Sequence, residues 1–306
     1  MNPRLQAALD AIAHVADRDE GTHAKLAGMV FAYDDRWGAE HAHVPEAVCE
    51  MEAWKRLPGT RMCVAGKIDH LEPTEPKCVD IADHKTSAYT LEPTSIYWKQ
   101  LGVDTQGLHY QAMLKLLGVR VTNVTWDVIT KPTIRLKQSE EPEQYTHRVR
   151  EWYAEKGYDN TIVRRSVVAT DDEVDAYLRD LYRETRDILH ARKTKFWRKN
   201  PQACMSYGTP CTYLGICSGY DTPESDTWEQ GSSHPELSEP LAKKRDLLTH
   251  SRMSCFRLCP RKHLYRYEMG LRRKEEEEVE ALTFGTLWHT AMDAWWMTPN
   301  TGVDNA

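Results

Sequence analysis

The sequence predicts an α/β protein in which a mixed sheet is flanked by helices. Three observations support this fold class. Apolar positions recur at helical spacing near both ends of the chain, β-rich stretches fill the middle, and a helix-like segment, 171–198, has an acidic first turn and a basic last turn. With 306 residues, of which 41% are hydrophobic and 28% charged, the chain is long enough to bury a core.

The elements follow one another in a mixed order. The sequence predicts helices over 4–17 and 21–34, strands over Met62–Glu72 and Lys77–Lys85, a helix over 94–117, strands over Val119–Thr130 and Asn160–Ala169, and a long helix over Asp171–Arg198. Pro93 and Gly118 bound the third of these helices. A Ser-, Pro- and Gly-rich stretch, 218–240, predicts a linker, after which helical periodicity resumes near Ser251 and again over 282–296.

Composition and charge exclude several classes of protein. No apolar run approaches the ~18–20 residues that span a bilayer, and the first residues lack a basic-then-apolar signal, so we expect a soluble, cytoplasmic protein with no membrane partner. The net charge of −6 averages over two basic runs, 183–199 and 252–274, which offer positive surface to a polyanion. The chain has no Gly-x-x-x-x-Gly-Lys-Ser/Thr loop, which argues against an ATP-driven motor.

Two acids and a lysine form the first chemical signal. Asp69 ends the segment Gly-Lys-Ile-Asp, and Asp83-His-Lys85 follows fourteen residues later. Asp83 and Lys85 share one face of a strand, and the Pro-rich turn at 72–76 allows an antiparallel neighbour to bring Asp69 beside them. Two carboxylates suit Mg²⁺ or Mn²⁺, which lower the pKa of a bound water, while a lysine orients that water. Asp-x-Lys alone is weak evidence, because most such pairs are solvated surface residues.

Two further motifs accompany this signal. Gln106 and Tyr110 lie one helical turn apart, and Phe-Gly-Thr-Leu-Trp-His289 opens a helix with a histidine one turn in. Taken with the acids and the lysine, these motifs resemble the RecB-like branch of the PD-(D/E)XK nucleases, which includes CRISPR-associated, AddB-type and phage exonuclease members. The resemblance implies a restriction-endonuclease-like mixed sheet that carries the acidic site.

The resemblance also implies a role for each motif. In this family the histidine and the two aspartates hold the metal, the lysine supports the attacking water, and the Gln-x-x-x-Tyr helix contacts DNA and the active site. The implied metal ligands are His289, Asp69 and Asp83, and the implied catalytic set adds Lys85, Gln106 and Tyr110. Glu50 or Glu52, on a preceding β-like segment, is a candidate for one more carboxylate. His84 and His109 are expected to be neighbours of the site rather than ligands.

The cysteines form a separate signal. Eight cysteines in a chain without a secretion signal argue against a disulfide framework. Cys204, Cys211 and Cys217 are close in sequence, with Gly208 and Pro210 permitting tight turns, which is typical of a soft-metal site whose fourth ligand lies elsewhere. Four thiolates alone do not decide between iron–sulfur and zinc, and inert free thiols are the third interpretation.

The resembling family favours iron and sulfide. Its members hold a 4Fe–4S cluster with three C-terminal cysteines and one N-terminal cysteine, and the cluster joins the two ends of the nuclease domain. The N-terminal motif is visible here as Ser251-Arg252 followed by Cys259-Pro-Arg-Lys. The alternative fourth ligand is Cys255, one turn earlier. The resemblance therefore implies a 4Fe–4S cluster held by Cys204, Cys211, Cys217 and Cys259.

The order of the motifs is reversed relative to the family. There the Cys-Pro-Arg-Lys and Gly-x-x-x-His segments precede the acidic strands, whereas here they follow them. We predict a circular permutation, in which 1–217 is a nuclease core, 218–250 a linker, and 251–306 a segment that packs back on the core. A flexible linker of this length spans roughly 30 Å, which allows the return. The alternatives are a second, truncated nuclease domain and completion of a neighbouring chain's site.

The predicted function is Mg²⁺- or Mn²⁺-dependent hydrolysis of DNA phosphodiesters. The resemblance favours a single-strand DNA exonuclease with a structural 4Fe–4S cluster, acting in recombination, repair or phage DNA processing. Expected partners are single-stranded DNA or duplex ends and a separate helicase or recombination protein. The alternatives are a non-catalytic iron–sulfur DNA-binding or scaffold subunit of a nuclease–helicase system, and a phosphoesterase for small substrates. A degenerate scaffold is expected to lose at least one of the four residues Asp69, Asp83, Lys85 and His289.

Overall fold

A six-stranded mixed sheet, flanked by helices, is the centre of the computed structural model. The structure describes residues 2–13, 19–40, 47–167, 169–206, 208–238, 245–274 and 280–299. The observed α/β architecture confirms the predicted fold class at this level.

The helices occupy both ends of the chain and the connections between strands. They are α1 (Pro3–Ala13), α2 (Glu20–Trp37), α3 (Ile96–Leu101), α4 (Gln106–Leu116), α5 (Pro142–Lys156), α6 (Tyr158–Thr161), α7 (Asp171–Thr194), α8 (Leu214–Ser218), α9 (His250–Leu258), α10 (Pro260–His263) and α11 (Glu280–Met297). A 3₁₀ turn covers Pro201–Ala203, and a π-helical turn covers Leu264–Glu268. None of the helices in the described ranges is both long and apolar enough to span a bilayer.

The strands form one large sheet and two small ribbons. They are β1 (Val48–Arg56), β2 (Cys63–Glu75), β3 (Cys78–Ser87), β4 (Arg120–Thr130), β5 (Ile162–Ser166), β6 (Met205–Ser206), β7 (Thr209–Pro210), β8 (Trp228–Gln230), β9 (Leu247–Leu248) and β10 (Leu271–Arg273). The large sheet has the order β1-β2-β3-β4-β5, and β9 adds a parallel partner at the start of β2. Its one long parallel pair, β3–β4, is connected by α3 and α4, as a crossover requires.

Two apolar cores hold the helices against the sheet. In the first, Ile68 of β2 packs with Met113 of α4 and Leu181 of α7, all nearly inaccessible to solvent. In the second, α1, α2, α5 and α11 pack together, with Tyr33 edge-on to Trp288 at a ring-centroid distance of 5.7 Å. Because α11 belongs to the second core, it is fixed close to β1 and β3.

The helix predicted over 94–117 is two helices. Ser95 caps α3, and the chain then turns through Gly102 before α4 begins. The Oδ1 atom of Asp104 accepts a hydrogen bond from the backbone N–H of Gln106 at 2.7 Å. The glycine and the aspartate favour a turn over a continuous helix, and the break places Gln106 in the first turn of α4.

Two predicted boundaries also move. β2 runs through Pro73 to Glu75, because its register with β3 shifts between these two residues and the irregularity accommodates the proline. The helix predicted to reach Arg198 ends at Thr194, where Lys195 takes a left-handed φ of 56°. The end of the first predicted helix, 14–17, lies outside the described residues.

The described part of the stretch predicted as a linker is packed. β8 pairs with β10, and Trp228 stacks on Tyr213 at a centroid distance of 5.3 Å. A single buried tryptophan is too weak a periodic signal to predict a strand, which is why composition indicated only a loop.

A group of ion pairs joins α7 to the C-terminal part of the chain. Arg192 of α7 bonds to both Asp246 and Glu268. Arg252, which is nearly fully buried, donates to Asp246 Oδ1 at 2.8 Å, to Glu268 Oε1 at 2.9 Å and to His263 Nε2 at 3.0 Å. Because each carboxylate serves two arginines, the buried charges are mutually compensated. The joint fixes α9 and the π turn relative to the sheet.

Candidate active site

A cleft of about 760 Å³ is formed by the early strands, α4, α9 and α11. Ionisable side chains from distant parts of the sequence meet in it. They are Glu50, Lys67, Asp69, Asp83, Lys85, Tyr110, Glu236, His250, Arg266, His289 and Asp293. All six residues of the predicted catalytic set line this cleft, including Gln106.

Strand register places the two aspartates together. β2 and β3 are antiparallel and pair His70 with Ala82, so Asp69 and Asp83 form the next opposed pair. Opposed residues on antiparallel strands project from the same face. The carboxylate of Asp69 is tied down further, because its Oδ2 accepts a hydrogen bond from the backbone N–H of His84 at 2.9 Å.

Lys85 and Gln106 surround the second aspartate. The Nζ of Lys85 lies 2.5 Å from Asp83 Oδ2 and donates to Gln106 Oε1 at 3.0 Å. Gln106 Nε2 donates to Asp83 Oδ1 at 2.8 Å and lies 2.8 Å from the hydroxyl oxygen of Tyr110. One amide therefore orients both the carboxylate and the ammonium group. The Gln-x-x-x-Tyr spacing brings Gln106 and Tyr110 into this network.

His289 and Glu50 meet Asp69 on its other side. The Nδ1 of His289 lies 3.3 Å from Asp69 Oδ2. One ligand atom from each of Glu50, Asp69 and His289 lies within 4.8 Å of the other two. Two carboxylates and an imidazole are a suitable set for Mn²⁺ or Mg²⁺. Asp83, the third predicted ligand, instead directs its oxygens toward Lys85 and Gln106.

The structure separates the two glutamates that the sequence leaves as alternatives. Glu50 lies opposite Asp69 across the β1–β2 pair, has a left-handed φ of 51°, and forms an ion pair with Lys67. Glu52 accepts hydrogen bonds from the backbone N–H and the hydroxyl of Ser238, both at 2.5 Å. Opposed like charges destabilise a strand pair, so Glu50 and Asp69 form a site that a cation would stabilise.

The charges of these residues depend on burial and on one another. Burial alone raises the pKa of Asp69, but the hydrogen bond and charge of His289 hold that pKa below the ordinary carboxyl value. Burial raises the pKa of Asp83, Lys85 opposes the rise, and the Asp69 charge adds to it. Although burial lowers the pKa of Lys85, the two aspartates raise it above its ordinary value. Lys85 is therefore a cation at neutral pH.

Two buried histidines, His84 and His109, make contacts just outside the cleft. The Nδ1 of His84 lies 3.4 Å from Asp127 Oδ2. His109 Nε2 lies 3.0 Å from the carbonyl oxygen of Ala65, and its Nδ1 lies 2.8 Å from the hydroxyl of Tyr177. Burial lowers the pKa of His109 to about 4, so the neutral ring donates to the carbonyl and accepts from the hydroxyl. This bond attaches α4 to β2. Neither histidine lines the cleft.

The candidate cluster cysteines lie in two segments that contact each other. The backbone N–H of Cys211 donates to the carbonyl of Cys204 at 2.8 Å. Lys199 Nζ donates to the carbonyl of Cys217 at 2.6 Å. Asn200 Nδ2 bridges to the second segment, donating to the carbonyl of Leu258 at 2.7 Å. The loop 199–217 is thereby held against the start of the Cys-Pro-Arg-Lys motif.

The thiols of the two segments influence one another. Burial raises the pKa of Cys217, and the thiols of Cys211 and Cys259 act in the same direction. Burial raises the pKa of Cys255 to about 11, with a further contribution from Cys259 and Cys211. Across the described residues, no three cysteine sulfurs approach as closely as the ligand atoms of Glu50, Asp69 and His289. The residue types suit an iron–sulfur or zinc site, and all five thiols are free.

Sequence comparison identifies the family. A sequence model of the PD-(D/E)XK nuclease superfamily matches residues 3–218 and 247–306, which include every predicted site residue. The chain belongs to the PD-(D/E)XK nuclease superfamily. Membership implies metal-dependent hydrolysis of nucleic acid, with DNA as the substrate and Mg²⁺ or Mn²⁺ as the typical metal. The acidic cleft supplies the residue types that this chemistry requires.

More distant comparisons add little. No curated protein sequence matches the chain. The crystal structure of SSO0001 is similar over 51% of this chain and 86% of its own, with 13% sequence identity and a TM-score of 0.20. A TM-score of this size does not establish a shared fold.

The sequence leaves Glu50 and Glu52 as alternatives, although the turn that follows β1 carries information that separates them. Pro58 and Gly59 indicate a turn between β1 and β2. Counting outward in equal steps from this turn places Glu50 opposite Asp69 and leaves Glu52 opposite Lys67, two pairs closer to the turn. Alternation of side chains along β1 does not distinguish Glu50 from Glu52. The register that the turn sets between β1 and β2 does.

Proposed function

We propose that this superfamily member is a Mg²⁺- or Mn²⁺-dependent deoxyribonuclease that digests single-stranded DNA from an end. The observation that carries the proposal is the convergence of Glu50, Asp69 and His289 beside the Asp83–Lys85 pair in one cleft. The resemblance to RecB-like enzymes supports the exonucleolytic mode and the preference for single strands.

The residues divide the chemistry between two sides of Asp69. Asp69 and His289, with Glu50 and with Asp83 as the further ligand that the resemblance implies, would hold the divalent ion. When bound, the ion lowers the pKa of a water and offsets charge on phosphoryl oxygens. Lys85, kept cationic by Asp83, is positioned to orient the attacking water and to stabilise negative charge in the transition state. Gln106 holds Lys85 and Asp83 in place, which limits reorganisation during the reaction.

We propose that Cys204, Cys211, Cys217 and Cys259 hold a structural 4Fe–4S cluster. The contacts between the loop 199–217 and the start of the Cys-Pro-Arg-Lys motif support this assignment. Cys255, one helical turn before Cys259, remains the alternative fourth ligand. Anaerobic purification followed by a visible spectrum and iron and sulfide analysis tests the cluster, and one zinc per chain without iron would contradict it.

We also propose that one chain supplies the whole site, as a circularly permuted nuclease domain. The contact between His289 and Asp69 within this chain supports the proposal. A monomeric mass with full activity is expected, whereas an obligate dimer would favour exchange of C-terminal segments. Recombination, repair or phage DNA processing, beside a separate helicase or recombination protein, is the context that the resemblance suggests.

A cleavage assay tests the nuclease. Purified protein with Mn²⁺ or Mg²⁺ is expected to degrade linear single-stranded DNA and to leave a circular single strand intact. Lys85→Ala should abolish cleavage while retaining DNA binding, and Lys55→Ala, which removes an exposed lysine of β1, should cut like the parent. DNA binding without metal-dependent cleavage by the parent would instead identify a scaffold subunit. Faster hydrolysis of mononucleotide esters than of oligonucleotides would identify a phosphoesterase.

A further inference from the structure

The cleft contains one arginine that differs from its other cations. Lys85 is paired with Asp83, and Lys67 is paired with Glu50. Arg266 is exposed and lines the same cleft. Within the described parts of the chain, no carboxylate lies at ion-pair distance from it, and its guanidinium carbon lies 5.4 Å from the ring centroid of Tyr267.

The backbone that carries Arg266 is held firmly. Arg266 is the central residue of the π turn Leu264–Glu268. Such turns are rare in proteins, and those that occur are often found at functional sites. Its neighbours Tyr265 and Tyr267 are both buried. Glu268, at the end of the turn, is bonded by Arg192 and Arg252. The backbone of Arg266 is therefore fixed beside the cleft, so binding of a ligand by the guanidinium orders only the side chain.

The charge balance of the cleft indicates what Arg266 binds. Its lining includes five carboxylates, Glu50, Asp69, Asp83, Glu236 and Asp293, so a polyanion is repelled unless cations compensate. A divalent ion beside Asp69 would serve the scissile phosphate, and both lysines are already committed to carboxylates. A guanidinium without an acidic partner is well suited to bind a phosphate through two parallel hydrogen bonds.

We propose that Arg266 binds a second phosphate of the DNA strand, away from the scissile one, and so makes the cleft selective for polynucleotides over mononucleotide esters. This inference rests on the nuclease function proposed above. Arg266 is thus a specificity-determining residue that acts on substrate binding and leaves the chemical step unchanged. Its effect depends on the substrate having a second phosphate.

Kinetics on two substrates test the inference. With a fluorescent oligothymidylate, Arg266→Gln should raise KM roughly tenfold, the effect expected for loss of a charged hydrogen-bonding partner, with kcat near the parental value. With thymidine 5′-p-nitrophenyl phosphate, which has a single phosphate, both constants should stay unchanged. Arg266→Lys should recover part of the affinity. Arg272→Gln is the matched control, because Arg272 lies in the same segment, is exposed, and pairs with Glu229 outside the cleft.

A binding measurement separates this inference from the nuclease proposal. Fluorescence anisotropy with Ca²⁺ replacing Mg²⁺ reports oligonucleotide binding without turnover. Arg266→Gln should weaken binding and reduce the slope of log Kd against log salt by about 1. Parental affinity and slope in this variant, or an equal loss on both kinetic substrates, would overturn the inference. If the parent cleaves neither substrate, the proposed nuclease function fails while the anisotropy series still decides the role of Arg266.

Discussion

The carboxylates of the cleft and the candidate cluster cysteines are carried by different kinds of secondary structure. Asp69 and Asp83 belong to long paired strands, and His289 belongs to a helix whose apolar face is buried in a core. Cys204 instead follows a 3₁₀ turn, Cys211 follows a two-stranded ribbon, and Cys217 lies in a five-residue helix. The acidic residues are therefore held by the protein itself, whereas the proposed cluster would tie together the turns that carry the cysteines.

This difference predicts that the two regions respond separately to mutation. Loss of an acidic ligand should remove activity while leaving iron and stability largely intact. Loss of a cysteine should lower stability while leaving the acidic site able to bind its metal. The following experiments test the separation, starting with the largest expected effect.

Asp69→Asn should lower the cleavage rate by a factor of roughly 10³ or more, because a group central to a catalytic unit is lost. Asp69 contacts His289 and the backbone of His84, and it faces Glu50. Initial rates with Mn²⁺ measure the effect, and iron and sulfide contents should equal those of the parent. Loss of iron together with activity would show that the two regions are not independent.

Cys217→Ser should lower the thermal midpoint by roughly 5–10 °C, because binding of a structural metal group contributes directly to folding. The fall in Tm should accompany loss of iron and sulfide, and Mn²⁺ affinity should change little. Cys78→Ser, at the start of β3 and outside the cysteine segments, is the matched control. Equal midpoints for the two variants would contradict a structural group at Cys217.

Glu50→Gln should weaken Mn²⁺ binding by roughly 10–100-fold, as expected when a residue that tunes a metal site is altered. Titration calorimetry or Mn²⁺ electron paramagnetic resonance measures this without turnover. Glu52→Gln is the matched control, because Glu52 bonds to Ser238 instead. Similar affinity losses in both variants would mean that charge in β1, rather than ligation by Glu50, sets the binding.

His109→Phe should reduce the free energy of unfolding by about 1–3 kcal/mol, because the buried Tyr177 hydroxyl and Ala65 carbonyl both lose their partner. Urea denaturation measures the change. Lys115→Gln, which removes a more exposed pair with Asp175, should cost less than about 1 kcal/mol. If the two variants lose equal stability, the attachment of α4 to β2 through His109 is unimportant.

Regular elements account for what could be predicted from the sequence. Strand alternation places Asp83 and Lys85 on one face, and helical spacing places Gln106 and Tyr110 together. Both relations appear as direct contacts. Each relation follows from the side-chain period of a single strand or helix, so it can be predicted without knowing the rest of the fold.

Long-range geometry accounts for what could not be predicted. The choice of Glu50 over Glu52 depends on the register of two strands. The packing of Trp228 depends on a ribbon formed with residues more than forty positions later. Gly102 and Asp104 favour a turn between the two helices. The apolar spacing of the residues on both sides nevertheless predicts one continuous helix.

The left-handed backbone at Glu50 carries a consequence for substitution at this position. A side chain at this φ costs about 1 kcal/mol relative to glycine in the folded state, but glycine would free the unfolded chain and remove the ion pair with Lys67. Glu50→Gly is therefore expected to change stability little while removing a carboxylate from the cleft. The backbone conformation at this position suits glycine best, whereas the proposed metal site needs a carboxylate there.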